Sequence, residues 1–93
     1  MTRPALRIRV QGRVQGVGFR WWVTTQARAL DLQGWVRNRS DGSVEALVMG
    51  GGRAIAKLVE SCHRGPTGAL VRSVETEPAE DDGSQGFEQK ATV

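Results

Sequence analysis

Three glycines stand within nine consecutive residues that end on an arginine, Gly12-Arg13-Val14-Gln15-Gly16-Val17-Gly18-Phe19-Arg20. Glycines at this density let a backbone turn tightly and aim successive N–H groups at one point. Arg20 falls where a helical pattern begins. Turned amides, a helix N-terminus and a guanidinium together make a site for a doubly charged oxyanion, phosphate above all. An arginine suits that role because its planar, permanently charged fork grips two oxygens, as a lysine cannot. The stretch lacks the Gly-Lys-Ser/Thr ending of a nucleotide-binding P-loop. It is not a dinucleotide fingerprint either, because Trp21 stands three residues after Gly18, where that pattern wants Gly or Ala. A second polar residue, Asn38, has the parity of Val36 at the end of an extended segment. It can stay wet there, meet a ligand, or serve the turn before Asp41-Gly42.

The elements that must position these groups follow from periodicity. Leu6-Arg7-Ile8-Arg9-Val10 alternates as a half-buried strand, with Leu6, Ile8 and Val10 inward and Arg7 and Arg9 toward water. Phe19, Trp22, Val23, Ala27 and Leu30 form one helical stripe, which leaves Arg20 off the core. Trp22 belongs to the core on this reading, and Trp21 is open between core and ligand contact. Residues 32–39 and 43–49 are strands joined by a Ser40-Asp41-Gly42 turn. Gly50-Gly51-Gly52 is a tight connection to a second helix with stripe Ile55, Leu58, Val59 and Cys62, stopped by Gly65-Pro66. Residues 69–74 are a fourth strand, residues 75–82 with five acids a solvated loop, and residues 87–93 a short closing strand. Two β-α-β halves with right-handed connections make an α+β fold of the ferredoxin-like type. It has a four-stranded antiparallel sheet, both helices on one face, and a short C-terminal strand. That fold serves many functions and selects none.

Composition bounds the rest. The 93 residues are expected to form a single domain, 1–93, with a net charge of +3. Residues 1–40 carry eight arginines against Asp31, a balance of +7, whereas residues 41–93 balance at −4. A basic front half suits an anionic ligand. One cysteine, Cys62, excludes an internal disulfide, and with one histidine it cannot furnish an ordinary His/Cys metal site. Cys62 lies on the buried stripe and is read as packing. His63, in the last helical turn, is read as a surface residue. Met1-Thr2-Arg3-Pro4 has no signal-peptide run, and no segment reaches membrane-spanning length, so a cytoplasmic location is expected.

Residues 12–20 resemble the first signature of the acylphosphatase family. Gly34-Trp35-Val36-Arg37-Asn38-Arg39-Ser40-Asp41-Gly42-Ser43-Val44-Glu45 resembles the second. The resemblance extends to the spacing, Gly65-Pro66 and the length. It implies hydrolysis of a small-molecule acyl phosphate to a carboxylate and inorganic phosphate, with no metal, no other cofactor and no covalent intermediate. By the same resemblance Arg20 holds the phosphate. The backbone amides of Val14, Gln15, Gly16, Val17, Gly18 and Phe19 bind its oxygens, and Asn38 orients the attacking water. The Gln15 side chain is expected only to brace the loop. The final aromatic usual in the family is missing from residues 87–93.

Three other readings use the same features. The fold also serves RNA-recognition domains, which stack bases on aromatics of the central strands. The first and third strands carry none, so only Trp35 is a candidate, and no nucleic-acid partner is expected. A non-catalytic phosphate receptor would bind without turnover. Activity on carbamoyl phosphate would fit a larger protein carrying this domain. A monomer is expected, because no apolar stripe is left over once the elements are assigned.

Overall fold

The computed structural model describes residues 3–93. Met1 and Thr2, read above for a leader pattern, lie outside the described residues. The order is β1 (Ala5–Arg13), α1 (Phe19–Ala29), β2 (Gln33–Asn38), β3 (Val44–Met49), α2 (Gly52–Cys62), β4 (Leu70–Pro78) and β5 (Phe87–Gln89). The sheet runs β4-β1-β3-β2-β5. Its first four strands are antiparallel, as expected, whereas β5 pairs parallel with β2.

The core lies between this sheet and the two helices. Ile8 and Val10 of β1, Val36 of β2 and Val48 of β3 meet Phe19, Val23 and Ala27 of α1 and Ile55, Leu58 and Cys62 of α2. Each aliphatic or aromatic side chain fully buried here contributes about 1.5–3 kcal/mol of transfer free energy. The period-two stripe of each strand and the 3.6-residue stripe of each helix thus converge on one layer, which places both helices on one face.

Arg7 and Arg9 keep part of their side chains in water on the helix-free face, as expected, but they do not stand there as isolated charges. Arg7 and Arg9 gather with Arg37 and Arg39 around Glu45, which is 3% exposed. Arg37 Nε lies 2.8 Å and Arg39 Nη1 3.0 Å from Glu45 Oε1. Burial works to raise the Glu45 carboxyl, but hydrogen bonds from Arg37 and Arg39 outweigh it and hold it below the ordinary carboxylate range.

The acidic segment is also more ordered than a solvated loop. Glu75 and Glu77 belong to β4, opposite Arg9 and Arg7 of β1. The extended β1 supplies the pairing template, and the opposite charges face each other across it. Beyond β4 the chain straps the helix-free face. Asp81 accepts from Arg3 Nε and Nη2, both at 2.9 Å, and Asp82 accepts from Trp35 Nε1 at 3.2 Å. The Arg3 hydrogen bond holds the Asp81 carboxyl well below the usual carboxylate range. Trp35 is 6% exposed, packed with Leu47 and Met49 beneath Ala79 and flanked by the Arg37 guanidinium 4.5 Å from its ring centre. It offers no platform on which a nucleic-acid base could stack.

Strand β5 is shorter than the expected 87–93, but the tail beyond it stays beside β2. Lys90 N–H donates to the Val36 carbonyl at 2.8 Å, and Val93 N–H to the Asn38 carbonyl at 3.2 Å.

Candidate active site

Strand β1 ends in a register shift between Gln11 and Gly12. Gly12 has φ +129, and a Cβ there would run into the Leu70 carbonyl of β4, so only glycine lets the two backbones approach this closely. The chain then leaves the sheet, and Val14 drops its side chain into the core at 1% exposure. Gly18 is the N-cap of α1 in the left-handed region, φ 78 and ψ 20. Neither a capping side chain nor an acidic residue in the first turn occupies this helix end. The first N–H groups of a helix have no intrahelical acceptor, and here their partial positive charge is left for an external anion.

The loop is tied to the β2–β3 hairpin. Gln15 Nε2 donates to the carbonyls of Arg39, at 2.7 Å, and Ser43, at 2.9 Å. In the hairpin turn, Asp41 Oδ1 accepts from Ser43 N–H at 2.9 Å and Ser43 Oγ at 2.6 Å. Those two bonds hold the Asp41 carboxyl below its ordinary range. Asn38 is the last residue of β2, opposite Val44, and its backbone carbonyl is held by Val93. Its position is therefore set by β3 on one side and by the tail on the other.

These elements enclose a cleft of about 170 Å³. Its walls are Val14, Gly16, Gly18 and Phe19 from the loop and helix start, Arg20 and Trp21 from α1, Asn38 from β2, and Gln89 from β5. Among the described residues, the Arg20 guanidinium and the Asn38 carboxamide make no hydrogen bond or ion pair within the protein. Larger hollows beside Arg7 and Arg9 and beside Arg28 also contain arginines, but carboxylates line them: Glu75 and Glu77 in one, Asp31 and Glu88 in the other. No acid lines the 170 Å³ cleft. It thus presents an unneutralised cation, an unpaired helix N-terminus and a neutral amide to the same small volume, which is the electrostatics of a dianion site.

A family model described as Acylphosphatase matches residues 6–89. The acylphosphatase of Rhizobium etli is 54% identical over 76 residues, which span 82% of this chain and 81% of that protein. The chain belongs to the acylphosphatase family. Among solved structures, an acylphosphatase from Coxiella burnetii superposes with a TM-score of 0.91 at 35% identity, covering 96% of this chain and 94% of its own. One from Bacillus subtilis gives 0.90 at 38% identity, covering 94% and 98%.

Of the residues that the acylphosphatase resemblance assigns to the site, Val14, Gly16, Gly18, Phe19, Arg20 and Asn38 line the cleft together. Gln15 turns its side chain to the hairpin, and Val17 packs half-buried against the core, so neither side chain lines it. Trp21 and Gln89 were not among the assigned residues and do line it. Trp21 had a signal, its place off the helical stripe. Gln89 had none, because its position depends on which strand β5 joins. His63 is exposed at the end of α2, and Cys62 is buried with its thiol pushed up to about 12 by that burial. Neither lines the cleft of this acylphosphatase-family chain.

Proposed function

We propose that residues 1–93 are one acylphosphatase domain, a cytoplasmic monomer that hydrolyses the carboxyl–phosphate bond of small acyl phosphates without a metal. The observation that carries this reading is the unpaired Arg20 guanidinium sharing one acid-free cleft with the unpaired Asn38 carboxamide. Arg20 and the loop amides of residues 14–19 bind the phosphoryl oxygens. Asn38 holds a water in line with the scissile bond. The water oxygen forms a bond to phosphorus while the bond from phosphorus to the carboxyl oxygen breaks. A carboxylate leaves, and the water's proton passes to a phosphoryl oxygen.

The chemistry asks little more of the protein. A carboxylate is a good leaving group, so positioning and charge stabilisation dominate over strong base catalysis. A unit charge pair at ~4 Å and an effective dielectric of ~20 is worth about 4 kcal/mol. Only the part gained as charge redistributes in the transition state raises the rate.

The test is phosphate release from benzoyl phosphate, with excess chelator present, by wild type, Arg20→Ala and Asn38→Ala. Turnover by wild type that collapses in both variants, with circular dichroism unchanged, is the expected result. Phosphate binding without turnover by wild type would instead make the loop a receptor. No helix among the described residues is long and apolar enough to cross a membrane. The burial of Trp35 counts against a nucleic-acid partner.

A further inference from the structure

Trp21 is 65% exposed, although α1 has apolar partners for its neighbours. Trp22 turns inward and meets Phe19 edge to face at 5.4 Å between ring centres. Trp21 joins neither apolar cluster of the fold and lines the cleft instead. It is the third residue of α1, and helical side chains lean toward the N-terminus, which carries the indole over the glycine loop. Among the described residues, the other large exposed apolar ones, Leu70 and Val93, line no part of the cleft.

An acyl phosphate has two unlike ends. With its phosphate on Arg20 and the loop amides, the acyl group must project out of the loop. The other large apolar residues of the lining, Val14 and Phe19, are each 1% exposed and already committed to the core. The apolar surface left for the acyl group is the indole of Trp21, on the residue next to Arg20. Resting on the acylphosphatase reading, we infer that Trp21 is the specificity-determining wall of the cleft, and that it favours acyl phosphates whose acyl group is aromatic or an extended apolar chain over those with a short one.

Two measurements test this. The first compares kcat/KM for benzoyl phosphate and acetyl phosphate in wild type, Trp21→Ala and Trp21→Phe. Trp21→Ala is expected to lose about tenfold on benzoyl phosphate, mostly in KM, the size of one aromatic contact. It should stay within about twofold on acetyl phosphate, because a methyl group is too small to make a comparable contact. Trp21→Phe should recover most of the loss. Equal losses on both substrates, or none on benzoyl phosphate, would overturn the assignment. The second measures calorimetric binding of benzylphosphonate and methylphosphonate, which needs no turnover. Wild type should prefer benzylphosphonate and Trp21→Ala should not; equal binding of the two by wild type would also overturn it. If wild type hydrolysed neither acyl phosphate, the acylphosphatase reading would fail by itself, and the phosphonate pair would still decide the role of Trp21.

Discussion

The side-chain amide of Gln15 donates to the backbone carbonyl of Arg39 at 2.7 Å, joining the glycine loop to the strand end that carries Asn38 one residue earlier. A second bond to the Ser43 carbonyl at 2.9 Å makes the link two-pronged. The amide thereby sets the spacing between the two halves of the proposed catalytic pair. Gln15→Ala should cost about 1–2 kcal/mol in urea denaturation, from two lost neutral hydrogen bonds. It should also lower kcat by about tenfold or more while phosphate affinity changes less, because Arg20 stays on the loop side of the broken link. A loss of stability with kcat intact would show that Gln15 only holds the fold together.

Arg20 and Asn38 should separate activity from stability. Neither side chain has a partner within the described protein, so removing either leaves no buried group orphaned. Arg20→Ala and Asn38→Ala are expected to reduce kcat by about a hundredfold or more, on the scale of deleting one transition-state donor. Their unfolding free energies should change by no more than about 0.5 kcal/mol. Arg20→Lys should restore little, since it keeps the charge but loses the bidentate fork.

Two glycines of the loop should respond differently to the same substitution. Alanine at Gly12 must push its Cβ into the Leu70 carbonyl, and β1 and β4 must separate to admit it. Alanine at Gly18 meets no atom within 4 Å and bears only the left-handed backbone at φ +78. Gly18→Ala should therefore cost about 1–2 kcal/mol, and Gly12→Ala clearly more, both read from chemical denaturation.

Glu45 predicts an acid limit on stability. Its folded carboxyl lies below the ordinary range because the Arg37 and Arg39 hydrogen bonds outweigh its burial. A lowered folded pKa stabilises the native state above the unfolded value, about 4.3, and that contribution disappears as pH falls through the folded value. Asp81, lowered by Arg3, acts in the same sense. Thermal stability should thus be level near neutrality and fall below about pH 4. Glu45→Gln should cost about 3 kcal/mol at pH 7, the low end for unpairing a buried ion because its arginines are partly solvated. The same variant should show a shallower acid decline than wild type.

Much of the molecule can be read along the chain, because the interactions involved are local. Alternation in Leu6–Val10 and the stripes of the two helices are properties of neighbouring residues, and burying them on one layer leaves few topologies. The glycines of the loop, Arg20 and Asn38 are legible for the same reason: each sits at the boundary of an element whose period is visible. Pairing partners were decided only in three dimensions. Glu75 and Glu77 read as loop acids until β1 lies alongside with Arg7 and Arg9 facing them. Trp35 is a candidate for exposure until the strap carrying Ala79 and Asp82 covers it, and Glu45 shows nothing of its burial until four arginines, two from β1, one from β2 and one just beyond it, converge on it. The cleft follows the same division. The proposed phosphate-binding end is legible in the sequence alone, as a contiguous glycine-rich loop ending on an arginine. The wall supplied by Gln89 was decided by tertiary structure, because it depends on a parallel pairing of β5 with β2 across more than fifty intervening residues.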